Sequence, residues 1–168
     1  KGVLTGIKVD TGAKELAGSN NEKITEGLDN LRDRIIVYKE LGASFAKWRA
    51  VIKIDTKNSL PSNACLFANA HALARYASIC QENNIVPIVE PEIIMDGNHD
   101  IETCLSVTSS ALNIVFEQLK LMNVYLEGIV LKPNMIICGE NCSKSCSDEA
   151  EKVADYTIKC LQIGRAHV

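Results

Sequence analysis

Apolar and polar positions along the chain follow two alternating periods, which predict repeated strand and helix units. Short apolar runs predict strands, and longer segments with apolar residues three or four positions apart predict helices. The four predicted strands are Val3 to Val9, Phe45 to Ile54, Ile85 to Glu90 and Tyr125 to Lys132. Since a helix-like segment follows each strand, we expect an α/β fold with parallel strands and right-handed crossovers.

Residues typical of helix N-termini mark the beginning of each predicted helix. The predicted starts, in chain order, are Thr25, Pro61 with Ser62, Asp100, and Ser147 or Asp148. The first helix is predicted to end at Gly42 and the third at Met122. The second is rich in alanine between Leu66 and Cys80, as expected of a helix that packs closely against its neighbours.

The number of these units distinguishes between two parallel-sheet architectures. No Gly-x-Gly-x-x-Gly element follows any predicted strand, which disfavours a dinucleotide-binding sheet. A βα barrel typically has eight units in about 250 residues. The 168 residues of this chain supply about four units, so we expect residues 1–162 to form half of such a barrel.

Residues 163–168 abandon the helical pattern that precedes them. The codons CAG ATC GGA AGA GCA CAC GTC, which match a sequencing adapter, would encode Gln162 to Val168. We therefore expect residues 163–168 to be a non-native tail in which His167 has no function. Any other nucleotide sequence at this position in the underlying read would contradict the hypothesis.

Composition limits the classes of partner. The chain is 46% hydrophobic and 23% charged, which is typical of a globular domain and argues against disorder. Its net charge of -3 gives no basic surface for nucleic acid. No apolar run approaches the roughly 20 residues that span a bilayer, and no signal-peptide segment is recognisable, so we expect a cytoplasmic protein without membrane contact.

The seven cysteines do not resemble a secreted disulfide framework, because their number is odd and their spacing irregular. Reduced thiols are therefore expected. Cys138, Cys142 and Cys146, four residues apart, raise the alternative of a metal site. A structural zinc site needs a fourth ligand and usually closer pairs, so we predict no bound metal.

Lys132 is a charged residue at the end of the apolar run from Val124 to Leu131, just before Pro133. In parallel α/β folds, this carboxyl end of a strand is where binding and catalytic groups collect. Apolar surroundings lower the pKa of a lysine and make it a nucleophile toward a carbonyl carbon. The alternative is an ordinary lysine whose stem lies on apolar surface while its ammonium group reaches water.

Each of the other predicted strands also carries charge, although buried parallel strands are usually apolar on both faces. The pairs are Lys8 and Asp10, Lys47 and Arg49, and Glu90 and Glu92. Taken singly, each pair is compatible with a solvated surface. If the strand ends converge, the cations suit an anionic, carbonyl-bearing substrate, Glu90 can move protons, and Lys132 can form an imine.

Several stretches of the chain are similar to those of one enzyme family. They are Gly6 to Asp10, Gly27 to Asp29, Phe45 to Val51, Leu73 to Cys80, Val86 to Glu92, Tyr125 to Gly128 and Leu131 to Met135. Together they resemble class I fructose-bisphosphate aldolases, the Schiff-base enzymes of glycolysis. The resemblance covers nearly the whole chain before residue 163 and implies a TIM (β/α)8 barrel.

The resemblance implies that Lys132 forms the Schiff base with dihydroxyacetone phosphate and that Glu90 accepts and donates protons beside it. It implies that Lys47 contacts the sugar hydroxyls, and that no metal or other cofactor is needed. It implies further contacts to the sugar phosphate substrate from Arg49 and Lys8, supported by Glu92. The full-length protein is expected to be a homotetramer.

Two departures from the family pattern qualify these expectations. The segment from Cys138 to Cys146 diverges from the loop expected after the Schiff-base lysine. The first two and last two strands of the family barrel, with their substrate contacts, are absent, so we expect the chain alone to be inactive.

Two alternative functions are compatible with parts of these patterns. A transaldolase or a deoxyribose-phosphate aldolase also uses a Schiff base, but the joint presence of Lys-Trp-Arg, Glu-Pro-Glu and Leu-Lys-Pro-Asn argues against both. A non-catalytic binding protein on the same fold is the second alternative. The expected site residues within the chain are all intact, which does not indicate loss of catalysis.

Overall fold

The computed structural model describes residues 2–143 and 150–163. The strands found in these ranges are β1 (Thr5–Lys8), β2 (Gly12–Glu15), β3 (Lys23–Glu26), β4 (Ala43–Ile52), β5 (Val86–Ile93) and β6 (Val130–Leu131). The helices found there are α1 (Leu31–Glu40), α2 (Asn63–Glu82), α3 (Ile101–Leu121) and α4 (Ala150–Leu161).

A parallel sheet with the strand order β1-β4-β5-β6 forms the framework of the described residues. Each neighbouring pair of strands is connected through a helix, with α1 before β4, α2 before β5 and α3 before β6. The helix α4 follows β6. This confirms the predicted α/β fold with about four βα units.

Alternation along β4 separates the core from the functional face of the sheet. Ala46, Trp48 and Ala50 are fully buried and belong to the core that the helices build. The ring of Trp48 stacks on Tyr76 of α2, with 5.5 Å between the ring centroids. Because successive strand side chains point to opposite faces, the intervening Lys47 lies on the face turned away from this core.

The predicted helix starts at Ser62 and Asp100 are confirmed, because each side chain accepts a hydrogen bond from a backbone N–H in the first turn. The predicted start at Thr25 is wrong. Thr25 lies in β3, and α1 begins after Asn30. The N–H of Thr25 donates to Asn69 Oδ1 at 3.2 Å, and the hydroxyl of Thr25 donates to Arg49 O at 2.7 Å. These two hydrogen bonds hold Thr25 in the hairpin.

The antiparallel hairpin formed by β2 and β3 was not predicted. Its strands are four residues each and carry mostly polar residues, so they show no apolar period. Contacts with α2 and β4, which are distant in the sequence, hold it in place.

The last strand is shorter than predicted. Only Val130–Leu131 pairs with β5, and Leu126–Gly128 forms a 3₁₀ turn. The Gln81 side chain explains the difference, because it binds Tyr125 at both backbone groups. Its amide donates to Tyr125 O at 2.8 Å, and its oxygen accepts from Tyr125 N at 2.9 Å.

Some expectations fall on residues outside the described ranges. They are the predicted helix start at Ser147 or Asp148, Cys146, and residues 164–168 of the expected tail. Ile163, the first residue of that tail, continues a 3₁₀ turn after α4. None of the helices in the described residues is long and apolar enough to cross a membrane.

The expectation of reduced thiols is wrong for Cys138, which is disulfide-bonded. An odd cysteine count argues against a complete framework but does not exclude a single disulfide in a loop. The cysteines with free thiols are Cys65, Cys80, Cys104, Cys142 and Cys160. In the described residues no group of His, Cys, Asp and Glu side chains is arranged to hold a metal ion.

Glu22 connects the hairpin to the start of α2. Its carboxylate is 2% exposed and accepts hydrogen bonds from Ser62 N at 2.7 Å, from Ser62 Oγ at 2.6 Å and from Ser19 Oγ. Burial alone would raise the pKa of Glu22, but the hydrogen bonds from the two serines outweigh it and hold the pKa below its usual value.

We predict that Glu22→Gln lowers the free energy of unfolding of the full-length protein by about 1–3 kcal/mol at pH 7. The lowered pKa means that the carboxylate stabilises the fold above the unfolded-state pKa of about 4.3. This contribution is lost as the pH falls through the folded-state pKa. The difference from the wild type should therefore shrink in acid, which urea unfolding at pH 7 and near pH 3 would measure.

Glu15→Gln is the matched control, since Glu15 lies in the same hairpin with an exposed carboxylate paired to Lys23. Its effect should be smaller than that of Glu22→Gln. A loss for Glu22→Gln that is equal at both pH values would contradict the prediction.

Candidate active site

The register of the parallel sheet brings the charged strand residues together at its carboxyl end. Lys8 of β1 is aligned with Lys47 of β4, and Arg49 of β4 is aligned with Glu90 of β5. Lys132 directly follows β6. The predicted convergence of these strand ends is therefore present in the structure.

Glu90 lies between two lysine side chains. Its own side chain is 3% exposed, and Lys132 Nζ donates a hydrogen bond to Oε1 at 2.6 Å. Lys47 Nζ lies 2.9 Å from Oε2 in an ion pair. Burial alone would raise the pKa of Glu90, but the two ammonium groups outweigh it and hold the pKa below its usual value.

Lys132 is more exposed than the sequence predicted. Its side chain is 58% accessible and paired to Glu90, whereas apolar surroundings were expected. Ile129 and Leu131 pack against the core, whereas Lys132, like the half-exposed Val130 two residues before it, lies on the opposite face of the strand. A second cation, Lys47, lies beside it and shares the carboxylate of Glu90.

Arg49 and Glu92 form a second pair on the same face. Arg49 Nε donates to Glu92 Oε2, and this hydrogen bond raises the pKa of the guanidinium above its usual value despite partial burial. Glu92 lies within β5, so the Glu90 to Glu92 segment is not an exposed turn. This hydrogen bond uses one of the five N–H donors of the guanidinium.

Lys8 and Asp10 form a third pair, which is not a simple surface pair. Lys8 Nζ binds Asp10 Oδ1, but the side chain of Asp10 is only 2% exposed while that of Lys8 is 52% exposed. The Asp10 carboxylate also accepts from Gly12 N at 3.0 Å and from Arg49 N at 3.3 Å. Asp10 is thus part of the backbone framework beneath Lys8.

Sequence reasoning gave Asp10 no role beyond its partner Lys8 and gave none to Asn134. In the structure Asn134 Oδ1 accepts a hydrogen bond from Ile93 N at 3.0 Å, at the end of β5. The sequence did contain a signal for such a contact. Pro91 has no N–H, so backbone pairing of β5 toward β6 is interrupted there, and the N–H of Ile93 beyond it needs another acceptor.

Two cavities have different relations to these residues. One of about 360 Å³ is lined by Arg49, Glu92 and Asn134, next to the ion pairs described above. A larger one of about 600 Å³ lies between the hairpin, α1 and α2. None of the six predicted site residues lines the larger cavity, so we place the candidate site at the strand ends.

This arrangement has the parts needed for imine chemistry. A lysine side chain is hydrogen-bonded to a carboxylate that can take its proton, as an imine-forming amine requires. A second lysine and an arginine lie beside them, and such cations bind phosphate oxygens or polarise a carbonyl group.

Comparisons with known proteins agree on one family. The family model described as fructose-bisphosphate aldolase class-I matches residues 1–165. The chain is 55% identical over 161 residues to a "Probable fructose-bisphosphate aldolase class 1" of Xanthomonas campestris, covering 96% of the chain and 47% of that protein. It is 52% identical to cytosolic fructose-bisphosphate aldolase 6 of Arabidopsis thaliana, covering 96% of the chain and 44% of that protein.

A solved structure gives the same result for the fold. The fructose-bisphosphate aldolase of Plasmodium falciparum, solved in complex with TRAP and a small-molecule inhibitor, matches with a TM-score of 0.92 at 45% identity. The match covers 96% of this chain and 46% of that one. The chain thus spans about half the length of the relatives it matches.

Proposed function

The chain belongs to the class I fructose-bisphosphate aldolase family, and we propose that its full-length protein reversibly cleaves fructose 1,6-bisphosphate. The products are dihydroxyacetone phosphate and glyceraldehyde 3-phosphate. The observation that carries the proposal is the placement of Glu90 between Lys132 and Lys47 at the carboxyl end of the parallel strands. As half of a TIM barrel, the chain contributes this part of the site.

In the proposed mechanism Lys132 is the nucleophile. The ammonium group at 2.6 Å from Glu90 Oε1 gives up a proton, and the neutral amine attacks the ketone carbon of the substrate. The carbon–nitrogen bond forms, the carbonyl oxygen takes up two protons, and it leaves as water. The resulting protonated imine draws electrons from the neighbouring carbon–carbon bond.

Glu90 is proposed to move the protons of this sequence. Cleavage between the third and fourth sugar carbons needs a base for the hydroxyl proton of the fourth carbon. Because its pKa is held low, Glu90 is ionised at neutral pH and is able to act as that base. The same proton can return to the enamine before water releases dihydroxyacetone phosphate from Lys132.

The other predicted residues are proposed to bind the sugar phosphate. Lys47 reaches the sugar hydroxyls from β4, next to Glu90. Lys8 and Arg49 contact substrate oxygens, with Arg49 oriented by its hydrogen bond to Glu92. The imine serves as the electron sink, so the proposed reaction requires no metal or organic cofactor.

The biological setting is proposed from the family. We expect a cytoplasmic glycolytic enzyme, as one matched relative is named as cytosolic. We also expect a homotetramer that binds neither nucleic acid nor membranes.

Chemical trapping would test the identity of the nucleophile. When the full-length protein is incubated with dihydroxyacetone phosphate and borohydride, we expect one stable adduct, mapped by peptide mass spectrometry to Lys132. Lys132→Met should abolish the adduct, whereas Lys120→Met, a change at the last turn of α3, should leave it unchanged. An adduct on another lysine would refute the assignment.

Replacing the proposed base would test the role of Glu90. Glu90→Gln keeps the size of the side chain but removes its charge, so we expect imine formation to slow by about 10²-fold or more. Rapid-quench borohydride trapping measures this rate, and circular dichroism checks the fold. Glu127→Gln, in the 3₁₀ turn before β6, is the control. Turnover by Glu90→Gln at the wild-type rate would remove its proton-transfer role.

A further inference from the structure

Backbone pairing between β5 and β6 stops beside the ion pairs of the site. Lys132 N donates to Val89 O at 2.9 Å. Beyond this bond, Pro91, the next residue of β5 whose backbone faces β6, has no N–H to offer. The segment of β5 that carries the two glutamates therefore has no backbone N–H at Pro91 to bind the strand on its β6 side.

The Asn134 side chain takes over where this pairing ends. Its Oδ1 accepts from Ile93 N at 3.0 Å, while on the opposite edge of β5 the N–H of Ile94 donates to Ile52 O at 3.0 Å. The end of β5 is thus fixed from both sides. Because Ile93 N can only donate, the contact also determines that the oxygen of the Asn134 amide faces β5.

The other end of the same amide is anchored to a helix. Asn134 Nδ2 donates to Thr108 Oγ1 at 3.3 Å and to Met135 O at 3.0 Å. Thr108 lies on α3 and is 2% exposed. One side chain therefore connects β5, the loop after β6 and α3.

These contacts bracket the reacting groups. β4 pairs with β5 along its whole length. On the β6 side of β5, Glu90 and Glu92 lie between the two points of attachment, Val89 and Ile93, and Lys132 lies two residues before Asn134. We propose that Asn134 is a positioning residue that sets the distance between Lys132 Nζ and Glu90 and thereby the rate of imine formation. The inference rests on the roles proposed above for Lys132 and Glu90.

If Asn134 only stabilised the fold, its loss would lower Tm without changing the rate of imine formation in the folded protein. The 2.6 Å contact between Lys132 and Glu90 serves proton transfer only at hydrogen-bond distance. Displacement by about 1 Å can cost on the order of 10²-fold in rate even when the fold is intact. Loss of the Asn134 contacts should therefore lower the rate of imine formation at temperatures far below that of unfolding.

The charged groups around Glu90 supply a second readout. Lys132 faces it from the loop after β6, Lys47 and Arg49 face it from β4, and Glu92 is its neighbour on β5. If Lys132 moves away, Glu90 loses the interaction that most strongly favours its ionised form. Its pKa then rises, and the acidic limb of the pH profile of kcat moves to higher pH.

The experiment compares Asn134→Leu with the wild-type full-length protein. In Asn134→Leu we expect the borohydride-trapped imine to form at about one tenth of the wild-type rate or below. The acidic limb of the pH profile of kcat should lie at higher pH than in the wild type. The matched control is Asn83→Leu, whose amide donates to Ile79 O at 2.9 Å at the far end of α2. This control should lower Tm without moving the acidic limb.

Two further variants keep the test decisive if Asn134→Leu does not fold. Thr108→Val removes the anchor on α3, and Asn134→Asp keeps an acceptor for Ile93 N while losing the amide donor. Both variants should also slow imine formation and shift the acidic limb to higher pH, but by less than Asn134→Leu does. The inference is overturned if the folded variants have the wild-type imine rate and pH profile. Absence of a trapped adduct at Lys132 in the wild type would instead overturn the proposed function.

Discussion

The buried carboxylate of Glu90, held between the ammonium groups of Lys132 and Lys47, is the interaction on which the rest of the site depends. A carboxylate that is 3% exposed is costly to ionise without close positive partners. One partner, Lys47, lies in β4 and the other, Lys132, directly follows β6, so the charge is stable only if β4, β5 and β6 are in register. A slip of one residue would turn the charged side chains into the helix-packed core.

A second feature of the structure is that side chains extend the sheet where backbone pairing ends. Beyond β1, where Val9 N donates to Lys47 O at 3.1 Å, the Asp10 carboxylate accepts from Arg49 N. Beyond β6, Asn134 accepts from Ile93 N in the same manner. Both contacts lie at the carboxyl end of the strands. The side chains that point from this end are thus carried on backbone that is held more firmly than the short strands alone would allow.

The local sequence predicted what depends on periodicity and missed what depends on distant partners. The helices at Ser62 and Asp100 and the charged strand ends follow from patterns within a few residues. The hairpin, the position of Thr25 and the short β6 depend on Asn69, Arg49 and Gln81, which are far away in the chain. The exposure of Lys132 could not be predicted for the same reason, since it depends on which face of the sheet the helices cover.

The net charge of the site suits an anionic substrate better than the net charge of the whole chain does. Four cationic side chains, from Lys8, Lys47, Arg49 and Lys132, meet three carboxylates, from Asp10, Glu90 and Glu92. One positive charge remains, although the chain as a whole carries a net charge of -3. Because Glu90 is shared by two lysines, the excess lies beside the proposed nucleophile. An anionic sugar phosphate is therefore attracted to the strand ends, while the rest of the surface, which is acidic on balance, offers it less.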